Sequence, residues 1–297
     1  MNKIHFPVLL NEVIENFAIK KDGIYVDCTL GFAGHSAAIL RRINKNGFLI
    51  GLDLDSYALN KAKEKLEKEK NNNFSLHHSS YKEFPRILSE LGVKKVDGFL
   101  FDLGISSHQI DSEHRGFSYM KSSDLDMRFN SNAELTAKKF INTVNDEKLI
   151  ELIQIYAELG HSKRIAKKII QMRDHNKMNT TIDLKNAIFQ SLDGCSNKII
   201  SRVFQAIRIA VNDEINTFKR TLEVIPNYLK KGGRVAIISF HSIEDRVVKR
   251  FIQGKDRISS SVNFKTIGGK HLKPSKEEIK ENPRSRSAIL RVAEKVA

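Results

Sequence analysis

The stretch YVDCTLGFAGHS, residues 25–36, combines a carboxylate, two glycines and a histidine where an apolar run ends. Gly31 and Gly34 would let the backbone approach a ligand closely, and a helical pattern follows, whose N-terminus would favour a negative group. A strand, a glycine turn and a helix in this order are typical of a small-ligand site. The third glycine of a GxGxxG dinucleotide fingerprint is missing, so the turn alone is a weak signal.

Two more acids end apolar runs. Asp53 closes the run GFLIGLDLD, about 20 residues after the glycine turn, where an acid can accept hydrogen bonds from both ribose hydroxyls. Asp102 lies in VDGFLFDLGIS, before a polar turn. Together these features predict a cofactor that contains adenosine, which leaves nicotinamide dinucleotide and S-adenosylmethionine open. Asp102 favours the methyl donor, because enzymes that methylate amines place hydrogen-bond acceptors around the target nitrogen.

The elements that must position these acids alternate along the chain. Apolar runs predict strands at 24–30, 47–55, 74–80 and 96–106, with helical patterns at 36–44, 56–70 and 84–91. This β-α order predicts a parallel, doubly wound sheet. The following polar segment, 111–133, and the helical patterns after it, up to residue 217, interrupt the sheet, which resumes with a strand at 232–240.

This pattern predicts two domains. Residues 1–110 and 208–297 are expected to form one discontinuous cofactor-binding domain, and 111–207 an inserted, mainly helical domain. Residues 255–275 are expected to be a flexible loop. The closing SAILRVAEK is interpreted as a last strand that could form an antiparallel edge.

The composition narrows the choice of partners. The net charge is +15, and residues 246–297 carry 14 Lys and Arg against 5 Asp and Glu. A strongly basic chain favours a polyanion such as nucleic acid, although a generally basic proteome is an alternative. Cys28 and Cys195 form no zinc pattern, so no metal is predicted, and their use fits a reducing cytoplasm. No signal peptide or apolar run long enough to span a membrane is present, so no membrane association is expected.

Several motifs together identify a family. The chain resembles the MraW-type methyltransferases, which methylate the N4 amine of a cytidine in the decoding centre of bacterial 16S rRNA. The resemblance covers nearly the whole chain and rests on HFPVLLNEV (5–13), DCTLGFAGHS (27–36), DLGISSHQID (102–111), RGFSY (115–119), DLDMRF (124–129), FQAIRIAVNDE (204–214), ISFHSIEDRVVKRF (238–251) and NPRSRSAILRVAE (282–294). It implies an α/β, class I S-adenosylmethionine-dependent methyltransferase fold with an inserted helical domain. It also implies 16S rRNA in the small ribosomal subunit as partner and a cytoplasmic location.

The resemblance also implies a set of cofactor-binding residues: Ala33, Gly34, His35, Asp53, Tyr81, Asp102 and Gln109. Four positions depart from the family pattern. Ala33 replaces the usual glycine, and its backbone is expected to avoid positive φ. His108 replaces a proline, YAEL at 156–159 replaces YGEE, and Val203 replaces a threonine.

Three residues are candidates for the chemistry. An exocyclic cytosine amine is a poor nucleophile, so a catalyst must orient it and accept its hydrogen bonds in a dry site. Asp102 and Ser107 are predicted to supply such acceptors, and His241 follows a strand expected beside the fourth. Asp102 could instead serve only the cofactor. FHSIEDR could instead be a helix cap through Ser242 or Asp245, and His241 with Glu244 lacks a third metal ligand.

Basic residues are the candidates for RNA contact. They are predicted to hold phosphates, with nearby aromatic rings stacking on bases. The residues are Arg115, Arg128, Arg246, Arg284 and Arg286, with a further basic face on helix 161–173. An ordinary linker and solvated helix faces are the alternatives. Methylation of DNA or another RNA, a non-catalytic nucleic-acid-binding protein and a nicotinamide-dependent oxidoreductase remain open, as does the oligomeric state, with a homodimer as one option.

Overall fold

The computed structural model describes residues 7–255 and 263–296. The chain divides into two compact units. Met1–Gly104 and Asn216–Ala297 form the first, here called the sheet unit, and Ile105–Ile215 form the second, the helical unit. The sequence placed the limits of the insertion at 111 and 207, inside this second unit. Among the residues described, no helix is long and apolar enough to cross a membrane.

The sheet unit contains a sheet of seven strands. They are β1 (Ile24–Asp27), β2 (Phe48–Asp53), β3 (Phe74–His78), β4 (Val96–Asp102), β5 (Leu229–Ser239), β6 (Phe264–Leu272) and β7 (Ile289–Lys295). Their order is β3-β2-β1-β4-β5-β7-β6. The first five pair in parallel, and β7 runs antiparallel to both of its neighbours. The predicted doubly wound α/β sheet is therefore confirmed.

The helices of the sheet unit alternate with its strands. They are α1 (Leu10–Asn16), α2 (Gly34–Leu40), α3 (Ser56–Leu66), α4 (Phe84–Glu90), α12 (Ser242–Ile252) and α13 (Lys276–Glu281), and α11 (Glu214–Tyr228) leads into β5. The central strand β4 carries Phe99, Leu100 and Phe101, all fully buried. A strand covered on both faces is largely apolar, which is why these three residues show no polar alternation. Asp97, near the start of β4, is buried as well but pairs with Lys20 and Lys230.

The region before β7 corrects two predictions. Residues 264–272, expected in a flexible loop, form β6, while 256–262 lie outside the described residues. Since β6 pairs with β7, the last strand is antiparallel as suggested but lies inside the sheet, with β6 at its edge. The sequence does not indicate this strand, because FKTIGGKHL contains two glycines and its pairing shifts between Ile267 and Leu272.

The helical unit has its own apolar core. Its helices are α5 (Ser107–Asp111), α6 (Ala137–Thr143), α7 (Asp146–Ala157), α8 (Ser162–Asp174), α9 (Thr181–Ser191) and α10 (Asn197–Asn212). Ile153, Ile169 and Ile188 from three of these helices are completely buried in one cluster. The helical spacing seen in the sequence thus marks the faces that meet in this core.

The end of α10 holds a buried ion pair. The Arg208 guanidinium donates two hydrogen bonds to the Glu214 carboxylate, at 2.8 and 3.0 Å. Asn212, between them, accepts a bond from the Phe129 amide and donates one to the Met127 carbonyl, both at 2.8 Å. The motif FQAIRIAVNDE therefore anchors the irregular segment 111–133 to α10.

Removing one partner of this pair should destabilise the protein. We expect Glu214→Ala to lower the free energy of unfolding by about 3–5 kcal/mol, because it removes both charge-assisted hydrogen bonds of a buried ion pair from the Arg208 guanidinium. Urea unfolding monitored by circular dichroism measures the change. Glu151→Ala, which breaks an exposed pair with Lys148, is the matched control and should cost less than about 1 kcal/mol. Equal effects of the two substitutions would contradict this account.

Candidate functional site

Four acids meet at the carboxyl ends of the parallel strands. Asp27, Asp53 and Asp102 end β1, β2 and β4, and Glu244 follows β5 in the first turn of α12. Burial raises the pKa of both Asp27 and Asp102. Repulsion from Asp53 adds to the shift at Asp27, and repulsion from Asp27 and Glu244 adds to the shift at Asp102. The strand ends therefore form an acidic site suited to a cation.

The turn after β1 is built on two residues with left-handed backbone. Gly31 has φ 50° and Ala33 has φ 54°. The expectation that Ala33 avoids positive φ is wrong. Its fully buried side chain belongs to the apolar core, and its amide donates to the Leu30 carbonyl at 2.8 Å, so the surroundings impose this conformation. A left-handed alanine costs about 1–2 kcal/mol.

Asp53 ties this turn to the second strand. One carboxylate oxygen accepts a 2.7 Å hydrogen bond from the Gly31 amide, and the other accepts a 2.9 Å bond from the Asp55 amide. Burial raises its pKa, which these two bonds partly oppose. Each oxygen of a carboxylate can accept a further bond. Asp53 can therefore order the turn and still accept hydrogen bonds from ribose hydroxyls.

Asp27, the carboxylate of the first stretch, was not among the site residues predicted from the sequence. Its carboxylate is buried, and it accepts bonds from the Ser36 hydroxyl at 2.7 Å and the Thr29 amide at 3.2 Å. Burial raises its pKa to about 6. The available signal was its position, because Asp27 ends its strand as Asp53 and Asp102 end theirs.

Asp102 carries an acceptor with no hydrogen bond from the described part of the chain. Its Oδ1 is buried and unpartnered, while its amide donates to the Thr29 hydroxyl at 2.6 Å. Burial, with the charges of Asp27 and Glu244, raises the pKa of Asp102 to about 8. An unpaired buried acceptor is costly. A hydrogen-bond donor or a cation that bound at Asp102 would therefore be stabilised, because it would satisfy this acceptor.

The segment before α1 packs on the glycine turn. The His35 Nε2 lies 2.9 Å from the Val8 carbonyl oxygen, so this nitrogen carries the proton, and Nδ1 lies 3.9 Å from Asp102 Oδ2. A Cβ at position 34 would lie 2.8 Å from the Pro7 Cβ. Gly34 is therefore required by a contact distant in sequence. Cofactor contacts of Gly34 and His35 stay predictions.

The remaining predicted cofactor residues lie in different elements. Tyr81 begins a 3-10 helix, Tyr81–Glu83, and its ring meets the edge of Phe101 with centroids 5.6 Å apart. Gln109 belongs to the helical unit. It forms a capping box with Ser106, which explains its type without a ligand. Ser107 begins α5, and its side chain lies outside the part of the structure that is described.

His241 is a helix cap. Its Nδ1 accepts the Glu244 amide at 3.3 Å, while Glu244 accepts the Phe240 amide at 2.8 Å. The cap residue is therefore His241 itself rather than Ser242 or Asp245. Asp245 instead forms a two-bond ion pair with Arg291. Within the described ranges, no group of three or more metal ligands occurs.

The predicted RNA-binding arginines fall into two groups. Arg115 donates to the carbonyls of Arg128 and Phe129 at 2.8 and 3.0 Å, and Arg128 forms a two-bond pair with Asp126 at 2.7 Å. These two guanidinium groups brace the segment 111–133, so much of their bonding capacity is used within the protein. The other three arginines are exposed. Arg246 lies on α12, and Arg284 and Arg286 lie in the 3-10 helix Pro283–Ser287.

The strand order, the antiparallel β7 inside the sheet and the acids at the strand ends define a class I methyltransferase. The model of the MraW methylase family matches residues 2–296. The chain belongs to this family, as its motifs suggested.

Three relatives with similar sequences are each named ribosomal RNA small subunit methyltransferase H. The protein of that name from Fervidobacterium nodosum is 44% identical over 298 residues, covering 99% of this chain and 98% of its own. The Mycoplasmopsis synoviae protein is 44% identical over 305 residues, with 100% and 99% coverage. The Clostridioides difficile protein is 41% identical, with 98% and 99% coverage.

The chain is a methyltransferase, and its cofactor is S-adenosylmethionine. This cofactor supplies a methyl group on a sulfonium centre and carries an ammonium group. The acids at the strand ends suit S-adenosylmethionine. The cluster of Asp27, Asp102 and Glu244 favours cations, and the Oδ1 of Asp102 accepts no hydrogen bond from the described residues. Asp53 has spare acceptor capacity for a ribose. Membership of the MraW methylase family sets the nicotinamide alternative aside.

The cap role of His241 predicts an effect on stability. We expect His241→Ala to lower the free energy of unfolding by about 1 kcal/mol, because α12 loses its side-chain cap. His241→Asn should recover most of the loss, since asparagine is a good cap. Thermal unfolding of both variants measures this, with methyl transfer assayed in parallel. Full stability of His241→Ala combined with lost turnover would instead favour contact with the substrate.

Proposed function

We propose that this protein transfers a methyl group from S-adenosylmethionine to the N4 amine of one cytidine in the decoding centre of 16S rRNA, in the small ribosomal subunit. The observation that carries the proposal is the match along the whole chain to proteins named as small-subunit rRNA methyltransferases, at 41–44% identity. The motif resemblance supplies the finer statement of base and position. Such a substrate would place the protein in the cytoplasm.

The chain's own groups supply what this reaction needs from a protein. The amine must be oriented and its hydrogen bonds accepted as the nitrogen becomes tetrahedral, in a site shielded from water. Asp102, whose Oδ1 accepts no hydrogen bond within the described residues, is the candidate for such an acceptor, and a contact with the cofactor alone is the alternative role. The methylated nitrogen is strongly acidic and loses its proton afterwards, so no strong base is needed. His241, engaged as a cap, is a weaker candidate, and a role for Ser107 stays a prediction.

Transfer of tritiated methyl groups tests the proposal directly. The acceptors are small subunits from cells lacking the enzyme, naked 16S rRNA and double-stranded DNA, followed by digestion to nucleosides. We expect the label to appear as N4-methylcytidine in a ribosomal acceptor and not in the DNA. Label in DNA or in another nucleoside would overturn the proposed substrate. Cofactor binding without transfer to any acceptor would support a non-catalytic relative.

A further inference from the structure

We propose that the exposed face of α8, together with the ring of Phe189, docks a single-stranded segment of the rRNA substrate. This inference rests on the proposed function and names a contact surface for it in the helical unit. The surface, called the α8 surface here, consists of Lys163, Arg164, Lys167, Lys168 and Phe189.

The first observation is the charge of α8. Lys163, Arg164 and Lys167 are exposed and Lys168 is half-buried, while Ile165 and Ile169 on the opposite side are fully buried. Positions three and four apart lie on one side of a helix. Asp174, the last residue, is the only acid on α8. The outer side of this helix is thus a line of positive charge.

The neighbouring helix α7 shows that a positively charged outer side is not a general property of the helical unit. Its exposed residues include Asp146, Glu147 and Glu151, and Lys148 pairs with Glu151 at 2.8 Å. A solvated helix commonly alternates charges in this way. The charged residues of α8 before its last residue, Asp174, are all basic, so the helix suits a negatively charged partner.

The second observation is the ring of Phe189 on α9. Half of this residue is exposed, in a unit where other phenylalanines are buried or partly buried. The turn that follows α9 contacts both this ring and α8. A Cβ on Gly194 would lie 3.7 Å from the Phe189 Cζ, and the carboxylate of the preceding Asp193 pairs with Arg164 at 2.7 Å. A flat apolar ring is therefore linked to Arg164 of α8 through the turn Asp193–Gly194.

Basic side chains next to an exposed aromatic ring suit one class of polyanion. Phosphates bind lysine and arginine, and an unpaired base stacks on an aromatic face. A duplex offers no free base to the ring, and an acidic peptide has no need of a flat stacking partner. The combination therefore favours single-stranded RNA over double-stranded nucleic acid or an acidic protein.

Variants of the full-length protein separate stacking from charge. Phe189→Ala should raise the KM for small subunits in methyl transfer by about 5- to 100-fold, the range measured for loss of one stacked base. Phe189→Tyr should restore it. The double variant Lys163→Gln/Lys167→Gln should lower the salt dependence of binding to naked 16S rRNA by about 0.7 per lysine in the logarithmic slope. The Kd for S-adenosylmethionine should stay unchanged in all three.

A matched pair of lysines controls for net charge. Lys61 and Lys63 on α3 are exposed and belong to the sheet unit, so Lys61→Gln/Lys63→Gln removes the same charge elsewhere. An equal effect of this control would overturn the α8 surface. Normal transfer with unchanged KM in the α8 variants would overturn it too, while leaving the proposed function intact.

Two further outcomes decide between partners. If the variants weaken action on subunits but bind naked rRNA with unchanged salt dependence, the surface contacts a protein and the RNA proposal is wrong. If the wild-type protein methylates no acceptor, the proposed function fails. Binding to naked 16S rRNA, measured by filter retention, then tests the α8 surface alone.

Discussion

Asp53→Asn should weaken binding of S-adenosylmethionine by about 10- to 100-fold, the equivalent of one hydrogen bond to a charged group. In the protein, the two oxygens of Asp53 accept the Gly31 and Asp55 amides. An asparagine has one acceptor oxygen, so one amide loses its partner. The amide group is also a poorer acceptor for ribose hydroxyls than a carboxylate. Isothermal titration calorimetry measures the affinity.

The neighbouring acid provides a matched control. Asp55→Asn makes the same chemical change two residues away, at the N-cap of α3, where Asp55 accepts the Tyr57 and Ala58 amides. Asparagine is as good an N-cap as aspartate, so this variant should keep both stability and cofactor affinity. Wild-type affinity in Asp53→Asn would exclude Asp53 from the cofactor site.

Cofactor affinity should increase as the pH rises from about 6 to about 7.5, by up to about tenfold per pH unit. In the free protein, burial and the charges of Asp27 and Glu244 raise the pKa of Asp102 to about 8, so its carboxyl is protonated at neutral pH. A bound cation favours the carboxylate, and binding then releases the proton. His35 and Asp53 also face this cluster, and Asp27, with a pKa raised to about 6, adds a step at the lower end.

Two controls isolate the contribution of Asp102. Asp102→Asn should bind more weakly and lose most of the pH dependence. Methylthioadenosine, which lacks the amino-acid part of the cofactor, should bind the wild-type protein with little pH dependence. Calorimetry in two buffers of different ionisation enthalpy counts the released protons. The explanation fails if no proton is released near pH 7.

The raised pKa of Asp102 also affects the stability of the free protein. Its ordinary value is 3.8, so between about pH 4 and 8 the folded chain binds more protons than the unfolded chain. Stability therefore falls as the pH rises through this window. Asp102→Asn removes this contribution, so its thermal midpoint should exceed that of the wild type near pH 8 and approach it near pH 4.

Much of the fold and the site's location could be predicted because the relevant signals are local. A strand buried on both faces, such as β4, has a continuous apolar run, here Phe99–Phe101, and the acid that ends it then stands out. Asp53 and Asp102 were found in this way. Since parallel strands end at the same edge, two such acids were enough to predict where the site lies.

Other features depend on contacts between distant residues and leave no local signal. Gly34 looked like a ligand-binding glycine, but its missing side chain makes room for Pro7. Arg128 looked like a phosphate ligand, but it pairs with Asp126. His241 shows a different limit, because a cap and a catalytic group both call for a polar residue after a strand.

The interior position of β7 has a consequence for the timing of folding during protein synthesis. The last strand to be made fits between two strands made before it, β5 and β6. At roughly 5–20 residues per second, residues 103–288 take on the order of ten seconds or more to be made after β4, and β5 has an open edge for the last part of that time. The helical unit is continuous in sequence and can fold in that interval. Completion of the sheet is therefore a late event, and nascent chains stalled before β7 should be preferred substrates for chaperones.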